Sequence, residues 1–301
     1  MPDDSSYIFD VSEPLGDTNR NLTDRFSDIK LLYESTNSPV RLHTATRYGR
    51  RYILKSLNGG WVQTDLNGAH DTHLSPHETL YHTALRKEFE IGIGLEHPNI
   101  RRTIGFEQVE GIGDAIVMEY IDGISLEEAI AQRRITNENI REICNGIAKG
   151  LEYLHSKQVI HRDLKPSNIL LTHGGNVVKI IDFSLADGGD YTIIKMPGGT
   201  RGWMAPEQQR ADAVATVEGD IYSFGRIMAN MVKSAGGDAP LERLAARCCN
   251  ADPERRPHSV SQLRLADLPR PSKHSWLASP WLTLGLTLIA AILLLINGGW
   301  V

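Results

Sequence analysis

His161-Arg162-Asp163-Leu164-Lys165-Pro166-Ser167-Asn168 gathers a carboxylate, cations and a carboxamide within eight consecutive residues. Together they suit the movement of a phosphoryl group. That reaction asks little covalent chemistry of a protein. It needs a carboxylate to orient the attacking hydroxyl, positive charge at the moving group and oxygen ligands for magnesium. Asp163 can accept the hydroxyl's hydrogen bond, Lys165 can offset charge on the phosphoryl group, and Asn168 offers the neutral oxygen that a hard cation takes beside a carboxylate. A polar turn capping a helix accounts for Asp163 or Ser167 singly, but not for the whole set.

Other charged residues stand where apolar elements would deliver them. Tyr52-Ile53-Leu54-Lys55 reads as a strand ending in a lysine, and Glu88 lies in Lys87-Glu88-Phe89-Glu90-Ile91, upstream of His97-Pro98-Asn99-Ile100. The β-branched run Val177-Val178-Lys179-Ile180-Ile181 leads into Asp182-Phe183-Ser184. Gly199-Thr200-Arg201-Gly202-Trp203-Met204-Ala205-Pro206-Glu207 follows, then Asp220-Ile221-Tyr222-Ser223-Phe224-Gly225 and Asp252-Pro253-Glu254-Arg255-Arg256-Pro257. Between the halves, Ala115-Ile116-Val117-Met118 is an apolar strand ending in Glu119-Tyr120-Ile121-Asp122-Gly123. In this order, from about Asp28 to Leu268, these segments resemble the protein kinase family.

The resemblance implies an α+β, bilobal protein kinase-like fold: a small β-rich N-lobe over 28–118, a hinge at 119–123 and a mainly helical C-lobe over 124–268. It implies ATP and Mg2+ as cofactors and a protein substrate with a Ser or Thr hydroxyl, Lys165 favouring the serine/threonine branch. Lys55, paired with Glu88, holds the α- and β-phosphates; Asp182 and Asn168 hold the metal; Asp163 is the base or orienter. Thr200 hydrogen-bonds towards Asp163 and Lys165, Asp220 braces the catalytic loop, and Arg256 pairs with Glu207. Backbone groups of Glu119 and Ile121 bind the adenine with Met118 behind them, a position where methionine also serves as core filling. Arg162 can receive a phosphate carried by Tyr191 or Thr192.

Several positions depart from the family pattern. The phosphate-covering loop has Tyr33, Ser35 and Ser38 in its three glycine positions and keeps Val40; glycine lets backbone amides approach phosphate closely, so nucleotide contact is reshaped. Ser184 replaces glycine at the pivot of Asp182-Phe183. Gly92 and Gly94 fall in the helix that carries Glu88, each costing about 1 kcal/mol relative to alanine, and Gly92 stands where the family packs an apolar side chain, so this helix needs help to hold Glu88 inward. Only 35 residues separate Asp220 from Arg256, which implies a reduced αG region and leaves the choice of substrate open. The stretch between Lys55 and Glu88 is long and carries His70, His73, His77 and His82; with no cysteine nearby it reads as an exposed insertion rather than a zinc site. The glycine-free loop and Ser184 support a competing class, a pseudokinase that serves as a membrane-anchored binding or scaffold module.

The 301-residue chain is 41% hydrophobic, enough for an ordinary two-lobed core, and its net charge of −5 gives no reason to expect nucleic acid. Residues 1–28 hold seven acids against Arg20 and Arg25, so residues 1–27 read as an acidic, solvated leader without an apolar signal core. Cys144, Cys248 and Cys249 make no disulfide framework. After a linker over 269–280, Trp281 to Trp300 is a 20-residue segment without a charge. As a helix it covers about 30 Å, the hydrocarbon thickness of a bilayer, with tryptophans at both interfaces. Arg264, Arg270 and Lys273 precede it, so the expected arrangement is a single-pass tail anchor in contact with membrane lipid, the kinase domain facing the cytosol. Its apolar residues surround the helix, unlike those of a helix buried on one face.

Overall fold

In a computed structural model of the chain, residues 25–35, 39–58, 76–173, 177–188, 200–210 and 213–269 are described. Residues 1–24 of the acidic leader, Ser38, the stretch with His70 and His73, Tyr191, Thr192 and the segment Trp281–Trp300 lie outside them. Among the described residues, no helix is long and apolar enough to cross a membrane.

The N-lobe is a five-stranded antiparallel sheet in the order β1-β2-β3-β5-β4. Its strands are β1 (Ser27–Glu34), β2 (Val40–Arg47), β3 (Arg50–Leu57), β4 (Thr103–Val109) and β5 (Gly113–Glu119). Tyr48 and Gly49, both at positive φ (53° and 71°), close the two-residue hairpin from β2 to β3. Side chains alternate across the sheet: Leu54 and Val117 join one cluster, Ile53 and Ile116 the other with Leu85 and Met118. Lys55, two residues after Ile53, therefore faces the side covered by helix α1 (Pro76–Ile93). Folding begins slightly before Asp28: Phe26 packs edge-on against Tyr52 at 5.8 Å beneath the Arg47 guanidinium.

Helix α1 corrects the reading of its glycines. Gly94 follows the last helical residue. Gly92 lies directly against Thr103 at the start of β4, where a Cβ would collide with the threonine hydroxyl. Close approach of helix and strand thus replaces the apolar side chain at this position, and Glu88 is held inward without one. Gly92→Leu is expected to destabilise the domain by about 1–3 kcal/mol through overpacking, with part of the loss recovered by adding Thr103→Ala. Chemical denaturation of the single and double variants checks this; a neutral Gly92→Leu would show that the close approach is unimportant.

In the C-lobe, β6 (Gly123–Ser125) leads into α2 (Leu126–Ala131), which Ser125 and Glu128 cap reciprocally. Helix α3 (Ile140–Ser156) buries Ile140, Ile143, Cys144, Ile147, Leu151 and Leu154, one stripe at helical spacing. Strands β7 (Val159–Ile160), β8 (Ile169–Thr172), β9 (Val178–Ile180) and β10 (Asp187–Gly188) form the sheets β6-β8-β9 and β10-β7. Helix α4 (Val217–Ala235) is capped by Thr216 and stopped by Gly236 at φ 88°. Only Gly236, Gly237 and Asp238 join it to α5 (Ala239–Cys248), as the short spacing implied. The short link is braced by a group that the motifs do not reveal. Arg141 on α3 donates to both carboxylate oxygens of Asp238 at 2.8 and 3.0 Å and to the carbonyls of Leu268 and Pro269.

Candidate active site

The catalytic loop runs between β7 and β8, with Pro166–Asn168 forming a single 3-10 turn that returns the chain to the sheet. Around the Asp163 carboxylate four donors converge. Its Oδ1 accepts from the Thr200 N–H at 2.8 Å and hydroxyl at 2.9 Å; its Oδ2 accepts from Lys165 Nζ at 2.7 Å and Asn168 Nδ2 at 3.2 Å. Lys165 also donates to the Thr200 hydroxyl at 2.7 Å. Asn168 Nδ2 donates as well to the Asp163 carbonyl at 2.9 Å, which fixes its amide and leaves its side-chain oxygen to act as an acceptor. The expected approach of Thr200 to Asp163 and Lys165 is present in full.

Across the cleft, the Lys55 ammonium sits 2.7 Å from Glu88 and 2.9 Å from Asp182. Both Lys55 and Glu88 are buried, at 5% exposure. Two carboxylates thus share one ammonium, and they share it unequally. Burial raises the Glu88 carboxyl despite the charge of Lys55. For Asp182, burial acts in the same direction, but the charge and hydrogen bond of Lys55, with Arg101 and the Ser184 N–H, hold the carboxyl well below the usual range. Removal from water pulls the Lys55 ammonium down, and the two carboxylates more than offset it, so its net shift is upward. Asp182 is at φ 68°, a left-handed conformation costly to an aspartate, and its Oδ1 accepts from the Ser184 N–H at 3.3 Å. Phe183 is buried beside the His161 ring at 5.6 Å.

The loop itself hangs from Asp220 in the first turn of α4. This carboxylate, 1% exposed, accepts from the His161 and Arg162 N–H groups at 2.9 Å each and lies 2.8 Å from His155 Nε2. Burial opposes its ionisation, but His155 and the His161 amide outweigh burial and lower its pKa. Arg162 is thereby held at φ 67°, immediately before Asp163. Arg256 forms the expected pair with Glu207, at 2.6 and 2.8 Å, and also donates to the carbonyls of Asn250, Ala251 and Glu218.

At the hinge, Met118 is buried between Ile53, Leu85 and Ile116. The Glu119 N–H donates to the Arg102 carbonyl at 2.9 Å, and its carboxylate is held by Lys179 at 3.0 Å and the Arg102 N–H at 3.2 Å. Among the described residues, neither backbone group of Ile121 has a partner, which suits a residue expected to bind a ligand edge. The Ser35 N–H donates to the Val40 carbonyl at 3.1 Å, closing the base of the β1–β2 loop. Lys179 was hidden inside a β-branched run, where a lone charge was the available signal; Arg101, the first of two consecutive arginines after Ile100, offered none.

These residues fit ATP and Mg2+ by their chemistry: a carboxylate and a carboxamide oxygen are hard donors, and a buried ammonium suits phosphate. Asp182 and Asn168 would hold the metal and Lys55 the phosphates. A β-sheet lobe over a helical lobe, with a base, paired lysine and metal-type donors facing one cleft, defines a phosphoryl-transfer scaffold. Residues 71–243 match the family model for the protein kinase domain, and the chain belongs to that family. It is 30% identical over 219 residues, 65% of its length, to a Streptomyces coelicolor protein named as a probable serine/threonine-protein kinase. It is 30% identical over 236 residues, 74% of its length, to the serine/threonine-protein kinase PknB of Mycobacterium tuberculosis. With mitogen-activated protein kinase kinase kinase 11 of Homo sapiens it shares 31% over 270 residues, 73% of its length. The matches cover 32%, 35% and 31% of those relatives, so the chain spans about a third of their length.

Proposed function

We propose that this chain is a serine/threonine protein kinase that transfers the γ-phosphate of ATP to protein hydroxyls. The observation that carries the reading is the closed triangle of Asp163, Lys165 and Thr200, with every side 2.7–2.9 Å. Bound ATP and Mg2+ supply the phosphoryl group and the neutralising charge. Asp163 orients the acceptor hydroxyl and takes its proton; Lys165 offsets charge beside it; Lys55, steadied by Glu88, orients the phosphate chain. Thr200 keeps the Asp163 carboxylate aimed. The test is radiolabelled transfer from ATP and magnesium to histone and to the chain itself. Labelling that requires Asp163 supports the reading. No labelling, with no nucleotide effect on the melting temperature, favours the scaffold module.

We propose in addition that residues 281–300 anchor the domain at the cytosolic face of a membrane, on the strength of their charge-free length and flanking tryptophans. In a carbonate extraction of expressing cells, the full chain should stay with the membrane pellet and a chain ending at residue 270 should not. Equal release of both would sink the assignment.

A further inference from the structure

Arg101 has no task in the mechanism above, yet its side chain lies inside the domain at 8% exposure. Its own N–H donates to the Ile180 carbonyl at 2.9 Å, next to a parallel bridge between Ile100 and Ile180, which pins it to the end of β9, two residues before Asp182. Side chains alternate here: Arg102 is exposed, whereas Arg101 and Thr103 are buried on the same side. Thr103 touches Gly92, one turn after Glu88 on α1. Backbone placement thus brings Arg101 to the place where Glu88 and Asp182 converge on Lys55. Among the described residues its guanidinium makes no direct hydrogen bond or ion pair, and its nitrogens are not fully sealed from solvent. Burial shifts its pKa downward on balance, although the charges of Asp182, Glu88 and Glu119 oppose that shift. Burying an arginine without direct partners is costly, so something must compensate.

We propose that Arg101 is a positioning residue for phosphoryl transfer: its buried positive charge balances the second carboxylate of the Lys55, Glu88 and Asp182 cluster and keeps Glu88, with helix α1, closed on Lys55. This rests on the kinase reading. With Lys55 and Arg101, the cluster has two cations for two carboxylates. Without Arg101, in the chain before nucleotide and metal bind, Glu88 and Asp182 compete for one ammonium across a low-dielectric gap, and repulsion pushes α1 outward.

The experiment compares Arg101→Met, similar in length but uncharged, with Arg101→Lys in the full chain, by steady-state phosphorylation of histone. Arg101→Met should lower kcat by about tenfold or more, the scale of a misplaced catalytic group, with the KM for histone unchanged. Arg101→Lys should recover most of the loss. In a Glu88→Gln background, Arg101→Met should cost less than about twofold further, because the group it acts through is already neutral. A Met variant at wild-type kcat overturns the proposal. So does a Lys variant as impaired as Met, which would mark a role in shape alone, or an equal loss in both backgrounds. Denaturation of the wild type, Arg101→Met, Glu88→Gln and their double variant gives a readout independent of activity. Non-additive stability changes for Arg101→Met and Glu88→Gln support the charge coupling, and additive ones reject it. If the wild-type chain transfers no phosphate, the kinase reading and the catalytic part of this proposal fall together, while the stability cycle still decides whether the charges are coupled.

Discussion

Asp163→Asn is expected to lower kcat for phosphate transfer by about 10²–10⁴-fold, the usual worth of a positioned general base. The geometry makes asparagine a poor substitute as well as a poor base. Thr200 offers two donors to Oδ1, and Lys165 and Asn168 offer one each to Oδ2. An asparagine amide must turn its NH2 towards one of those pairs, setting donor against donor. The Thr200 or Lys165 contact is then lost along with the proton acceptor, and the acceptor hydroxyl is no longer aimed. Nucleotide binding, which is assigned to Lys55, Asp182 and the hinge, should survive, so the ATP-induced rise in melting temperature should match wild type. Radiolabelled transfer and thermal melting read the two halves. Wild-type labelling in the variant would remove Asp163 from the chemistry, and loss of the ATP-induced shift would mean the substitution damages the cleft itself.

The second large effect falls on the frame. Asp220→Ala should destabilise the domain by about 3–5 kcal/mol, the cost of removing one partner from a buried, hydrogen-bonded charge. It leaves the His161 and Arg162 amides and His155 Nε2 facing a void. Arg162 then has less to hold it at positive φ, so Asp163 loses its aim and activity should fall more steeply than stability alone predicts. The pH dependence has a definite sign. Asp220's pKa is lower in the folded chain than in the unfolded one, so its contribution is present above the ordinary carboxylate pKa and is lost as pH falls through the folded value. Urea denaturation of wild type and variant should therefore show the gap largest near neutral pH and shrinking below about pH 4. A gap that is constant or grows towards acid would mean that the Asp220 carboxylate is not the source of the difference.

How much of this was readable beforehand depends on the distance over which each residue acts. The octapeptide His161–Asn168, the Asp182-Phe183 pair, Lys55 and Glu88 were legible because their chemistry is carried by residue type in fixed local order, and strands and helices flanking them were readable from period. The structure brings together Lys55, Glu88 and Asp182, and Asp163, Lys165 and Thr200, as that order implied. Boundaries were less legible. Phe26 belongs to the fold because it finds Tyr52 and Arg47, and Gly94 lies outside α1 because the helix stops one residue earlier.

By itself, the sequence determined the kind of chemistry, the two-lobed arrangement and the residues that face the cleft, since each follows from short-range pattern and side-chain type. Only the tertiary structure decided that Gly92 is a point of contact with Thr103 rather than a weakness, that Arg141 ties Asp238 to the domain's end, and that Lys179 steadies Glu119. It also decided that Arg101 is buried and that its backbone is tied to the end of β9. Those outcomes depend on which surfaces meet across long stretches of chain, where one missing methyl group or one charge turned inward changes the packing, and local pattern holds no record of the surface on the other side.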